Sequence, residues 1–141
     1  MSVAFAQGTK SETIQLAAQW FFDGSRDGTD ELLRFVQMMI VLEILLGDKA
    51  TSDQIGLNEL LRNRCAYLLG ASNAQREALL NTFSKIYAVR SQIVHRGKHR
   101  LSLEERHLFT NLKWMCRRVI SKELDLLMED EKLKRKETLM R

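Results

Sequence analysis

Residues 35–46 read Phe-Val-Gln-Met-Met-Ile-Val-Leu-Glu-Ile-Leu-Leu, the longest apolar stretch of the chain. Gln37 and Glu43 interrupt it, and it falls well short of the roughly 20 residues a bilayer-spanning helix needs. Thr29 or Asp30 stands ahead of it as a helix N-cap, and Gly47 follows it as a C′ residue. The stretch is therefore expected to be one buried helix of a soluble protein. Leucine supplies 22 of the 141 residues and proline none, a composition suited to long uninterrupted helices rather than a turn-rich β-sandwich.

Helix-end signals place four further elements on either side. Thr9 and Glu12 form a Thr-x-x-Glu capping box that opens a first helix through Ile14, Leu16, Ala17, Trp20 and Phe21. Gly24 and Gly28 then punctuate a loop. Asp48 to Gly56 is polar and reads as a loop. A third helix is expected from about Leu57 to Leu69, stopped by Gly70. A fourth runs from Ser72 or Asn73 to about Val94, with Gly97 beyond. Ser102 and Glu105 form a second capping box, opening a fifth helix that continues past Leu127. No strand-like alternation or repeat appears, so the fold class is all-α, a bundle of about five helices.

The length suits one domain, residues 1–141, with a core over about 9–128 and a charged tail over 129–141 that is expected to fray. Lys and Arg number 22 against 18 Asp and Glu, a net charge of +4, which permits an anionic partner without requiring one. Met1 to Ala6 lacks the early positive charge and apolar run of a signal peptide. Cys65 and Cys116 are isolated, so neither a disulfide framework nor a paired-cysteine metal site is written, and a reducing cytoplasm is the expected setting.

Three charged residues fall where apolar ones belong. At about 100° per residue, Glu43 lies opposite the polar face of Asp30, Glu31, Arg34 and Gln37. Arg64 sits within the stripe of Leu57, Leu60, Leu61 and Leu68. Arg90 sits at the centre of Leu79, Phe83, Ile86, Tyr87 and Val94. An unpaired buried charge costs several kcal/mol, so Glu43 should meet Arg64, Arg90 or both. Such a pair serves either a site or helix register alone.

Arg90-Ser-Gln-Ile-Val-His95 closes the fourth helix and is followed by Arg96, Gly97, Lys98, His99 and Arg100. Together with Leu42 to Leu46, Arg64 to Gly70 and Ile86-Tyr87, this Arg-x4-His run resembles the HEPN superfamily (higher eukaryotes and prokaryotes nucleotide-binding). It is most similar to the Apea-like HEPN branch. The matching segments occur in the family's order over residues of about 30 to 100, half the chain.

The resemblance implies a HEPN-like helical bundle that forms a homodimer, with two Arg-x4-His motifs lining one cleft. For active members it also implies metal-independent RNA cleavage without a cofactor. In this branch two glycines commonly follow the histidine, whereas here Arg96 precedes Gly97. A toxin subset carries an AMPylated tyrosine two positions after the histidine; Gly97 removes that mode of regulation here. The implied setting is a toxin, antiviral defence or RNA processing, with a cognate antitoxin or larger defence complex as partner and no membrane.

The residue types suit that chemistry. Attack of an RNA 2′-hydroxyl on its phosphate needs a base, an acid at the leaving 5′-oxygen and positive charge on the phosphate. Histidine titrates near neutral pH and takes either proton-transfer role. Arginine stays charged and offers a planar fork to phosphate oxygens. Arg90 and His95 are the candidate catalytic residues, with Ser91, Glu43 and Arg64 in support and Arg96, Lys98 and Arg100 on the RNA. A spacing of five puts His95 about 140° from Arg90 on an ideal helix. Both reach one cleft only if the helix unwinds near Val94 or the site spans a dimer seam.

Other signals are weaker. His95 and His99 are four apart, but no carboxylate or cysteine completes a metal set and Gly97 intervenes. Arg117, Arg118 and Lys122 would extend the basic patch. Trp20 and Trp114 read as core or interface aromatics. A homodimer is also expected because the second helix is apolar over most of its circumference. The fifth adds Leu108, Leu112, Met115, Cys116, Val119 and Ile120. Beside the endoribonuclease stand two other classes: a non-catalytic RNA- or nucleotide-binding module, and a protein-interaction module with a vestigial motif.

Overall fold

A computed structural model describes residues 3–26, 28 and 30–140, with side chains from Lys10 onward. Six helices are present: α1 Val3–Ser25, α2 Glu31–Leu46, α3 Lys49–Ile55, α4 Leu57–Leu69, α5 Asn73–Arg96 and α6 Leu103–Leu139. No strand occurs among the described residues. The architecture is all-α, as composition and periodicity require.

The apolar stretch is the axis of the bundle. Phe35, Met38, Met39, Val41 and Leu42 of α2 are fully buried, and α2 touches α1, α4, α5 and α6. Asp30 caps it, its side chain accepting the Leu32 N–H at 2.9 Å. The apolar circumference that suggested a dimer face is thus consumed inside the single chain. Leu112, Met115, Cys116 and Val119 of α6 are buried too, with Leu108 and Ile120 half-buried against the same core. These residues form the bundle's own interior.

Three contacts fix the direction of α6. Arg106 meets Glu31, Phe109 meets Phe35, and Cys116 meets Met38, so α2 and α6 advance together. α1 folds back on α2 through Gly24, which lies inside α1 and not in a loop. A Cβ there would come within 3.2 Å of Met38 and 3.3 Å of Gln37, and its carbonyl accepts Arg34 Nε at 2.9 Å. Glycine at this point marks a close helix approach rather than a turn.

Other boundaries also shift. α1 begins six residues before Thr9, so Thr9 is not its N-cap; the Thr9 side chain lies outside the described residues. The polar segment after Asp48 is the short helix α3, where Thr51 Oγ1 donates to Asp48 Oδ2 at 2.5 Å. It buries no residue, which is why no apolar period announces it. The charged tail remains helical through Leu139, because its Glu, Lys, Leu and Arg residues are strong helix formers. No described helix is long and apolar enough to cross a membrane.

Candidate functional site

α5 begins at Ser72, whose hydroxyl accepts the Gln75 N–H at 3.2 Å, and runs unbroken to Arg96. Phe83, Ile86 and Val89 anchor it in the core. That anchoring turns Arg90 toward α2. Its Nη2 lies 3.8 Å from Glu43 Oε1, and its guanidinium carbon lies 5.5 Å from the centroid of the Tyr87 ring. Both side chains of the ion pair are half-buried, at 21% and 28% exposure. Burial pushes the Glu43 carboxyl above its ordinary value, and Arg90 pulls it only partly back. Tyr87, one turn before Arg90, is a component that its place in the apolar stripe concealed.

His95 lies on the other side of the last turn. α5 does not unwind at Val94; only after Arg96 does Gly97 enter the left-handed region, at φ +62°. The Gly97 N–H then closes on the Gln92 carbonyl, as does the Lys98 N–H at 3.4 Å. Arg90 therefore faces α2 while His95 is exposed, and one chain does not bring them together. The Ser91 hydroxyl is half-buried and makes no hydrogen bond to His95.

Arg64 departs from expectation. The buried side of α4 is set by Leu60, Leu61, Cys65 and Ala66, which leaves Arg64 on its flank and exposed. Its Nη1 donates to the Leu46 carbonyl at 2.8 Å, and its Nη2 lies 3.9 Å from Asp48. A cation at the C-terminus of α2 satisfies an otherwise orphan carbonyl and favours the helix dipole. Arg64 is thus a cap for α2 and makes no contact with Glu43. A groove of about 390 Å³ beside it is lined by Leu46, Asn63, Tyr67, Leu68 and Glu123, and holds neither Arg90 nor His95.

The basic segment divides in two. Arg96, His99 and Arg100 are exposed. Lys98 instead pairs with Glu105 at 2.9 Å, while Glu105 Oε1 accepts the Ser102 N–H at 2.8 Å. Lys98 is therefore part of the cap that starts α6, a link that the spacing of the capping box alone does not reveal. Arg117 and Arg118 are exposed and Lys122 half-buried, whereas Trp20 packs against the core and Trp114 is 43% exposed. Among the described residues, no group of three or more His, Cys, Asp or Glu is placed to hold a metal ion. Compared with protein-family models, curated proteins and solved structures, the chain finds no match, so its reading rests on its own residues.

Proposed function

We propose that this chain is a HEPN-type endoribonuclease that cleaves RNA without a metal ion, by attack of a 2′-hydroxyl on the adjacent phosphate. One observation carries the reading. Arg90 is held half-buried by Glu43 and Tyr87 on the helix that ends in His95, within a run that resembles the HEPN motif. A guanidinium with a fixed orientation and unused donors suits the charge that develops on a phosphate. His95 is exposed, as a proton-transfer group must be to meet its substrate. Because the two diverge on one helix, the active form pairs two copies, with Arg90 and His95 meeting across the seam. Arg96 and Arg100 steer the RNA strand by charge.

The RNA-binding reading without turnover draws on one feature: no hydrogen bond orients the His95 ring. Incubation of the protein with structured and unstructured RNAs in excess EDTA separates the two. Cleavage by the wild type, lost in Arg90→Ala and in His95→Ala, is the expected result. Equal cleavage by all three overturns the enzyme reading, and RNA binding with a steep salt dependence but no products assigns the module instead. The toxin, defence or RNA-processing setting and any antitoxin partner belong to the same proposal.

A further inference from the structure

Charge is spread unevenly along the chain. Residues 78–122 hold 10 of the 22 Lys and Arg but only 2 of the 18 Asp and Glu. Those two acids, Glu104 and Glu105, stand at the start of α6, and Glu105 is engaged by Lys98. Elsewhere in the sequence acids outnumber bases. The basic span covers most of α5, the turn after it and the first half of α6. A surface of that kind attracts a polyanion.

Between these two helices lies a groove of about 130 Å³, lined by Ala78, Leu79, Thr82, Asn111, Trp114 and Met115. Trp114 is 43% exposed there, whereas Met115 and Cys116 beside it in sequence are buried. Among the described residues, the side chains of Thr82 and Asn111 make no hydrogen bond within the chain. Lys85 lies one turn past Thr82 and Arg118 one turn past Trp114. Both are exposed, and neither forms an ion pair among the described residues. The groove therefore offers an indole ring, two groups able to read a polar edge, and a cation on each helix. Its volume suits one planar base and is too small for a folded element of another protein.

We propose that Trp114 is a stacking platform for an unpaired base of an RNA strand, with Lys85 and Arg118 on the neighbouring phosphates. Stacking on an aromatic ring tolerates any base, so the platform holds a single strand without reading its sequence. The inference rests on the RNA reading of the Arg90–His95 site and gives that strand a second point of contact. Thr82 precedes His95 by 13 residues on one unbroken helix, about 20 Å at 1.5 Å per residue. A strand held at both points spans several nucleotides, so a dinucleotide cannot reach the platform from His95.

The test uses an RNA oligomer of about a dozen nucleotides with 2′-O-methyl riboses, which lacks the attacking hydroxyl and stays intact. The wild type is expected to bind it with quenching of tryptophan fluorescence. Trp114→Phe should keep the affinity and lose most of the quenching, while Trp114→Ala should weaken binding at least fivefold. The salt dependence should be unchanged in Trp114→Ala and shallower when Lys85→Gln and Arg118→Gln are combined. An abasic oligomer of the same length should bind the wild type and Trp114→Ala equally. Thermal denaturation checks that each variant is folded. Full affinity in Trp114→Ala overturns the proposal and leaves the exposed indole to a protein partner. An equal loss toward the abasic oligomer also overturns it, because no base is then involved. Arg90→Ala and His95→Ala should retain the quenching. Absence of RNA binding by the wild type removes this proposal together with the RNA reading, whereas binding that ignores Trp114 overturns the platform alone.

Discussion

At Glu43 two effects oppose each other on one carboxylate. Burial raises its pKa and Arg90 lowers it, with burial the larger. A carboxyl whose folded pKa exceeds its unfolded one binds its proton more tightly when folded. Its contribution to stability therefore improves as pH falls through the folded pKa, and its ionised form is a cost at neutral pH. Glu43→Gln removes that cost while keeping the shape. The variant is expected to melt no lower than the wild type at pH 7, with the difference closing as the pH is lowered, read by thermal denaturation across pH. RNA cleavage is expected to behave differently. Without the carboxylate Arg90 loses its counter-charge, and activity should fall at least tenfold, about 1.4 kcal/mol of transition-state stabilisation. Arg64→Ala supplies the contrast. It removes a hydrogen bond to the Leu46 carbonyl from an exposed side chain and should cost about 1 kcal/mol of stability. Cleavage by Arg64→Ala should be unchanged; a tenfold loss there would return Arg64 to the site.

Among the elements, the turn between α5 and α6 concentrates the local chemistry. Ser102 and Glu105 cap α6 reciprocally, and Lys98 pairs with the same carboxylate. Partial burial pushes the Glu105 carboxyl up, but the Ser102 N–H and the Lys98 ammonium outweigh it and hold the pKa below its ordinary value. A lowered carboxylate stabilises at neutral pH, and that stability is lost as pH falls below the unfolded glutamate value of about 4.3. Ser102→Ala should cost about 1 kcal/mol, and Gly97→Ala a similar amount because of its positive φ, both measured by urea unfolding. This turn was legible because Ser102, Glu105 and Gly97 are short-range signals that act within a few residues. The helix α3 was not, because it buries no residue and so carries no apolar period. Arg64 was misplaced for a related reason. An idealised wheel counted Leu57, Leu60, Leu61 and Leu68 of α4, while Cys65 and Ala66 shift the buried side away from Arg64. Burial cost alone called for an arginine partner to Glu43 but left Arg64 and Arg90 open; the choice of Arg90, and the aromatic surface under it, depend on how α5 crosses α2.

Across the whole molecule, α2 is the element on which everything else packs. Cys65 of α4 and Cys116 of α6 both enter that core; Cys116 Sγ donates to the Met38 carbonyl at 3.1 Å. Burial pushes the Cys65 thiol up to about 12. Burial also raises Cys116 well above its ordinary value, with the neighbouring Cys65 adding to the effect. Thiolate is the reactive form, so neither cysteine should react with an aromatic disulfide reagent at pH 8 while the bundle is closed. Labelling then reports opening. If α4 and α6 are released from α2 together, the two thiols should label at one rate, rising with urea as steeply as global unfolding. A local departure would look different. α4 is joined to α2 through the short α3, which buries nothing, and Arg64 ties it to the end of α2 by one hydrogen bond. If that tie is what keeps α4 in register, Arg64→Ala should make Cys65 label faster than Cys116, with a shallow urea dependence. In the wild type, equal rates are expected by mass spectrometry of the labelled peptides. A faster Cys65 in the wild type would mean that α3 and α4 detach as a unit before the core around α2 yields.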